Sequence, residues 1–202
     1  MLLAFGLETG YFRFRQRVGC QAEKVYACGL SFLLLSSLIF WLAIWIYAPQ
    51  LSDWLQYPQH PEYVLSFAAI LVLDGLSALP FARLRAENRA WRFAGIKMTE
   101  ILLTIALNLL FLLYVPKLLP FIPGLAVYYH PEQAVSYIFY ANLLASSFKF
   151  MLLLPQFKAV NFDLDRHVLL PMLRYSLPMV IIGFAGMVNE MLDRVILKRL
   201  LP

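Results

Sequence analysis

Charge is what this sequence has least of. Only 14% of its 202 residues are Asp, Glu, Lys or Arg, against 61% hydrophobic residues, and the mean hydropathy is +0.69. A soluble domain carries roughly a quarter of its residues charged, so the composition excludes one and points to a membrane protein. Cysteine is nearly absent as well. Cys20 and Cys28 are the only two; with no CxxC spacing and no histidine beside them, they form neither a disulfide framework nor a zinc site and read as free thiols. No Ser/His/Asp, zinc or P-loop signature occurs. The stretch MLLAFGLETGYFRF lacks a basic leader and has Glu8 early in it, so a cleaved signal peptide is not expected. Low-complexity segments and long loops are missing too, which leaves no room for a separate soluble domain. The net charge of +5 does not point to nucleic acid, because the arginines fall in short segments beside apolar runs, where membrane topology accounts for them.

What is present is a series of apolar runs. Those at 25–48, 63–82, 94–115 and 134–155 are each long enough to cross about 30 Å of hydrocarbon, which takes roughly 20 helical residues. A fifth span begins near Leu170. Its clean stretch, 175–188, is too short unless Asn189, Glu190, Asp193 and Arg194 are tolerated against protein or water. Residues 2–12 look like the last half of a further span. Basic residues then set the orientation. Arg13, Arg15, Arg17 and Lys24 precede the first full span, while 50–62 holds no Lys or Arg; Arg83, Arg85, Arg89, Arg92 and Lys97 surround the next turn, while 116–133 holds only Lys117; Lys158, Arg166 and Arg174 come last. The basic segments therefore face the cytoplasm. The loops carrying Trp54, Tyr57, Tyr63, Tyr128 and Tyr129 face out, as an aromatic belt.

Polar residues inside the spans carry the functional signal. Asp74 lies nine residues before Arg83, ~13 Å along a helix, so it falls near the midplane, with Pro80 in the last turn. A charge there costs about 2.5 kcal/mol or more and calls for a partner, a cavity or a proton. Helical spacing puts Ser66, Ile70, Asp74 and Ser77 on one face; Lys97, Glu100, Thr104 and Asn108 form a second stripe, and Asn142, Ser146 and Lys149 a third. One wet cavity lined by all three is the functional reading. Against it stand an ordinary interfacial Lys97–Glu100 pair, a Lys149 that snorkels to the cytoplasmic surface, and Ser and Asn that merely bridge helices. Further on, Asn189 with Asp193 and Glu190 with Arg194 are spaced i,i+4 and can neutralise each other, while Gly183 and Gly186 would admit a close neighbour. Asp163-Leu164-Asp165 has the D-x-D form of many glycosyltransferases, but with no nucleotide-binding fold around it; an Asp at a helix start is the default.

Several stretches together resemble a family. GLETGYFRF (6–14), the Pro80-Phe81-Ala82-Arg83-Leu84-Arg85 turn with its flanks, YANLLASSFKFMLLLP (140–155), and Leu177-Pro178 with Asn189-Glu190 and Asp193-Arg194 after it are similar to polysaccharide biosynthesis proteins. These are the lipid-linked oligosaccharide flippases of the multidrug/oligosaccharidyl-lipid/polysaccharide superfamily. The resemblance implies an all-α, polytopic fold of two six-helix lobes. In it, 1–168 would run from the end of helix two through helix six and 169–202 would open the second lobe, so that this chain would be one part of a longer protein.

It also implies a bacterial inner-membrane transporter with no cofactor and no catalytic role, one that works by alternating access on a polyprenyl-diphosphate-linked glycan, beside other glycan-assembly proteins. On that basis Arg13, Arg83 and Arg85 are expected to meet the diphosphate. Asp74 and Glu100, with Asn108, Asn142, Lys149, Asn189, Glu190, Asp193 and Arg194, are expected to line the cavity or couple transport to Na+ or H+. A cation-coupled multidrug antiporter of the same superfamily and a membrane glycosyltransferase or polymerase are the competing expectations.

Overall fold

The structure, a computed structural model, describes residues 4–16, 21–55, 57, 60–115, 134–157 and 164–200, with the side chains of 134, 187 and 190–200 excepted. Among the described residues all regular structure is helical. α1 is Leu7–Arg15, α2 Ala22–Trp54 and α3 Pro61–Ala86; α4, Ala90–Leu109, continues as a π-helical turn, Leu110–Tyr114; α5, Ala134–Leu153, ends in a 3-10 turn, Leu154–Gln156; α6 is Arg166–Leu200. Five helices among the described residues are long and apolar enough to cross a membrane: Ala22–Trp54, Pro61–Ala86, Ala90–Tyr114, Val135–Gln156 and Arg166–Gly186. The chain is an all-α, multi-pass membrane protein, and its spans fall where the apolar runs lie.

The ends of the spans depart from expectation in three places. Residues 4–12 do not form one helix, because Phe5 and Gly6 take left-handed conformations, φ 48° and 62°, and α1 starts only after them. Pro80 is not in the last turn, since α3 continues to Ala86. Tyr63 does not stand in the aromatic belt; it is buried, stacked between His60 (4.7 Å) and Phe139 (5.5 Å), and its hydroxyl accepts from Ser136 at 2.8 Å. Trp54 and Tyr57 are exposed, whereas Tyr128 and Tyr129 lie outside the described residues.

Contacts divide the chain into two units, Met1–Ser36 with Val160–Pro202, and Ser37–Ala159. In the first, α1 packs on α6 through glycines. A Cβ on Gly10 would lie 2.5 Å from Ser176 Oγ and 2.9 Å from Met172 Cγ, and one on Gly6 would lie 3.0 Å from the Ser176 carbonyl oxygen. GLETG is thus a small-x-x-x-small contact, the device that lets membrane helices approach closely. Gly186, expected to serve that purpose, has no neighbour within 4 Å of its Cβ position.

In the second unit α5 packs against both α3 and α4, more extensively than these two pack against each other. Phe81, Leu84, Ile96 and Leu153 form a buried cluster flanked by Phe93, Leu152 and Phe157, which joins the ends of the three helices. The turn between α3 and α4 is closed by backbone bonds from Asn88 N–H to Arg85 (3.1 Å) and from Arg89 N–H to Leu84 (2.9 Å). That is a Schellman arrangement with Asn88 at φ 58°, a conformation Asn tolerates better than most residues.

Candidate functional site: a charged cluster within the spans

Because α5 lies against both neighbours, a long side chain on it reaches both, and Lys149 does so. Its ammonium donates to Asp74 Oδ1 of α3 and to Glu100 Oε1 of α4 at 2.6 Å. Lys97 donates to the other Glu100 oxygen, Oε2, at 2.8 Å, and Ser146 donates to Asp74 Oδ1 at 3.3 Å. One residue from each polar stripe therefore meets the others, and the cluster holds two carboxylates and two ammonium groups.

Burial within it is graded. Lys149 exposes 2% of its side chain and Glu100 15%, whereas Asp74 exposes 49%. Lys149 does not snorkel: in α5 it lies seven residues before Gln156, and its two acceptors point the side chain inward. The Lys97–Glu100 pair exists as anticipated, but it is one edge of a larger network and not an isolated surface pair. Unpaired, a buried charge in such a site would cost several kcal/mol; paired with two carboxylates, the lysine is held.

The remaining expected residues stand apart. Asn108 donates to the Thr104 carbonyl and Asn142 to the Ile138 carbonyl, both at 2.8 Å, so each serves its own helix. Ser77 likewise donates to Leu73 at 2.6 Å. Asn189 is exposed; the side chains of Glu190, Asp193 and Arg194 lie outside those described.

The arginines divide as well. Arg83 Nε donates to Glu87 Oε1 at 2.8 Å. Arg85 donates to the Phe81 carbonyl at 3.4 Å and lies 5.3 Å from the Phe93 ring centre. Both thereby secure the α3–α4 turn. Arg13 belongs to the other unit, where its guanidinium lies 4.2 Å over the ring of Tyr175. Of the D-x-D pair, Asp163 is outside the described residues, and Asp165 caps α6 by accepting from the His167 N–H at 2.9 Å. Asp165 also offers its backbone carbonyl to the Cys28 thiol at 3.3 Å.

Two partnerships were not read from the sequence. Asp74 with Lys149 spans 75 residues, and Glu100 with Lys149 spans 49. The signal was present in the charge count: two acids and two bases within three successive spans require one another in lipid. Arg174, beside Arg13 in a shared cleft, carries only a topological signal in the sequence. Comparison with protein-family models, with curated proteins and with solved structures gives no match for this chain.

Proposed function

We propose that the chain belongs to a membrane transporter, a flippase that moves polyprenyl-diphosphate-linked oligosaccharide from the cytoplasmic to the outer leaflet of a bacterial inner membrane by alternating access. The observation that carries the reading is the Asp74–Lys149–Glu100–Lys97 cluster. Ionisable groups inside spans are rare because each is costly, and where they occur they mark substrate or ion paths. The graded burial supports this further. Lys149 and Glu100 are enclosed, while Asp74 keeps half of its side chain open, as a carboxylate bordering a wet passage would. The family resemblance supplies the substrate class, and a diphosphate with a sugar chain needs such a wet, polar route.

The arginine roles are narrower than the sequence suggested. Arg83 and Arg85 are engaged in the turn, so their contribution to head-group binding rests on leaving those contacts. The test tracks lipid-linked oligosaccharide across the membrane in cells whose full-length protein carries Asp74→Asn or Lys149→Met. Translocation should fall at least tenfold, with lipid-linked repeats building up on the cytoplasmic face. Unchanged translocation in both variants sinks the cluster's role, and loss of surface glycan without that build-up points to an enzyme of glycan assembly.

The half-open Asp74 favours one second reading, a cation-coupled antiporter. Its charge balance weighs against it, since two ammonium groups already answer two carboxylates and leave no net charge for Na+. A Na+- or proton-driven efflux assay with an organic cation separates the two.

A further inference from the structure

In the unit formed by Met1–Ser36 with Val160–Pro202, the end of α1 and the first half of α6 border a cleft of about 640 Å³, lined by Arg13, Phe14, Gln16, Pro171, Arg174 and Tyr175. Arg13 is set in place by the Tyr175 ring at 4.2 Å. Neither Arg13 nor Arg174 has a carboxylate partner among the described residues. Two planar five-donor groups with an amide beside them suit a phosphate, and the volume is ample for a head group.

A second feature bears on the part of such a ligand beyond its phosphate. Leu170, Arg174 and Leu177 are spaced i, i+4 and i+7, so they share one face of α6. All three are exposed, and Ile181 continues the exposed apolar line. A guanidinium interrupting an apolar track fits a molecule with an anionic head and a hydrocarbon tail better than it fits a free anion.

We infer that this cleft binds an anionic phospholipid of the surrounding cytoplasmic leaflet, its phosphate between Arg13 and Arg174 and one acyl chain along Leu177 and Ile181. The site is separate from the charged cluster and does not depend on the transport reading.

The test is native mass spectrometry of the full chain in detergent, titrated with dioleoylphosphatidylglycerol. The chain should retain the lipid, and retention should fall at least fivefold in Arg13→Gln/Arg174→Gln, while Asp53→Asn, in the last turn of α2, retains it as the parent does. Dioleoylphosphatidylcholine, with the same tails, should bind at least fivefold more weakly. If the double variant unfolds, the unaltered chain still decides: dodecyl phosphate should displace the phosphatidylglycerol and dodecyltrimethylammonium should not. Equal retention by the double variant overturns the inference. So does displacement by inorganic phosphate at matched concentration, which would mark a free-anion site, or by a polyprenyl diphosphate at a tenth of the concentration, which would assign the cleft to a transport substrate. A chain that retains phosphatidylglycerol yet moves no glycan would leave this site intact and remove only the flippase reading.

Discussion

Lys149 answers two carboxylates at once, so its removal leaves Asp74 without a cation and Glu100 with Lys97 alone. Lys149→Met should lower stability by about 3–5 kcal/mol, the usual cost of breaking a buried ion pair from one side, read as a drop in melting temperature in detergent. Removing the opposing charge as well should recover much of that. In Lys149→Met/Asp74→Asn, Glu100 retains Lys97 at 2.8 Å and no carboxylate is left without a cation. A double variant as unstable as the single one would mean that Lys149 acts through packing and not through charge. The residues of this cluster were each visible in the sequence as polar positions on a helical face. Their pairing was not, because helical periodicity orders residues within one helix and says nothing of which face meets which neighbour. Lys149 illustrates the point: from its own helix alone, reaching for the surface and reaching for a partner are equivalent.

At the scale of helices, glycine and asparagine fix the joints. Gly10 faces Ser176 and Met172 so closely that Gly10→Leu must push α1 off α6; a loss of roughly 1–3 kcal/mol is expected from overpacking. Gly95, with nothing within 4 Å of its Cβ position, is the control. Gly95→Ala should be neutral or stabilise α4 by up to about 1 kcal/mol, again by thermal melting. Asn88 closes the α3–α4 turn in the left-handed region, so Asn88→Ala should cost ~1 kcal/mol and Asn88→Gly much less. Equal losses from the two would refute the conformational explanation. Helix existence was legible from the apolar runs, while the ends were less so. The start of α1 only after Phe5 and Gly6 depends on backbone conformations that the apolar run hides, and Pro80 sits inside α3 because the packed Phe81 and Leu84 continue the helix beyond it.

For the whole molecule, topology is the quantity most directly open to measurement. With Cys20 and Cys28 replaced by Ser, a cysteine at position 53 should react with a membrane-impermeant thiol reagent in intact cells. A cysteine at position 89, in the basic turn after α3, should react only after permeabilisation. Labelling with the opposite sidedness would invert the orientation drawn from the basic residues, and with it the assignment of the Arg13–Arg174 cleft to the cytoplasmic leaflet.

The charge count of the cluster also has an electrical meaning. One uncompensated charge carried across a membrane works against about 2.3 kcal/mol for every 100 mV. Asp74, Glu100, Lys97 and Lys149 are joined by direct contacts across three helices, so if α3, α4 and α5 shift as a body the four charges travel together and their contributions cancel. As far as these four charges go, such a displacement is voltage-silent, and any voltage dependence would have to enter with other charges on the moving helices or with whatever the protein carries.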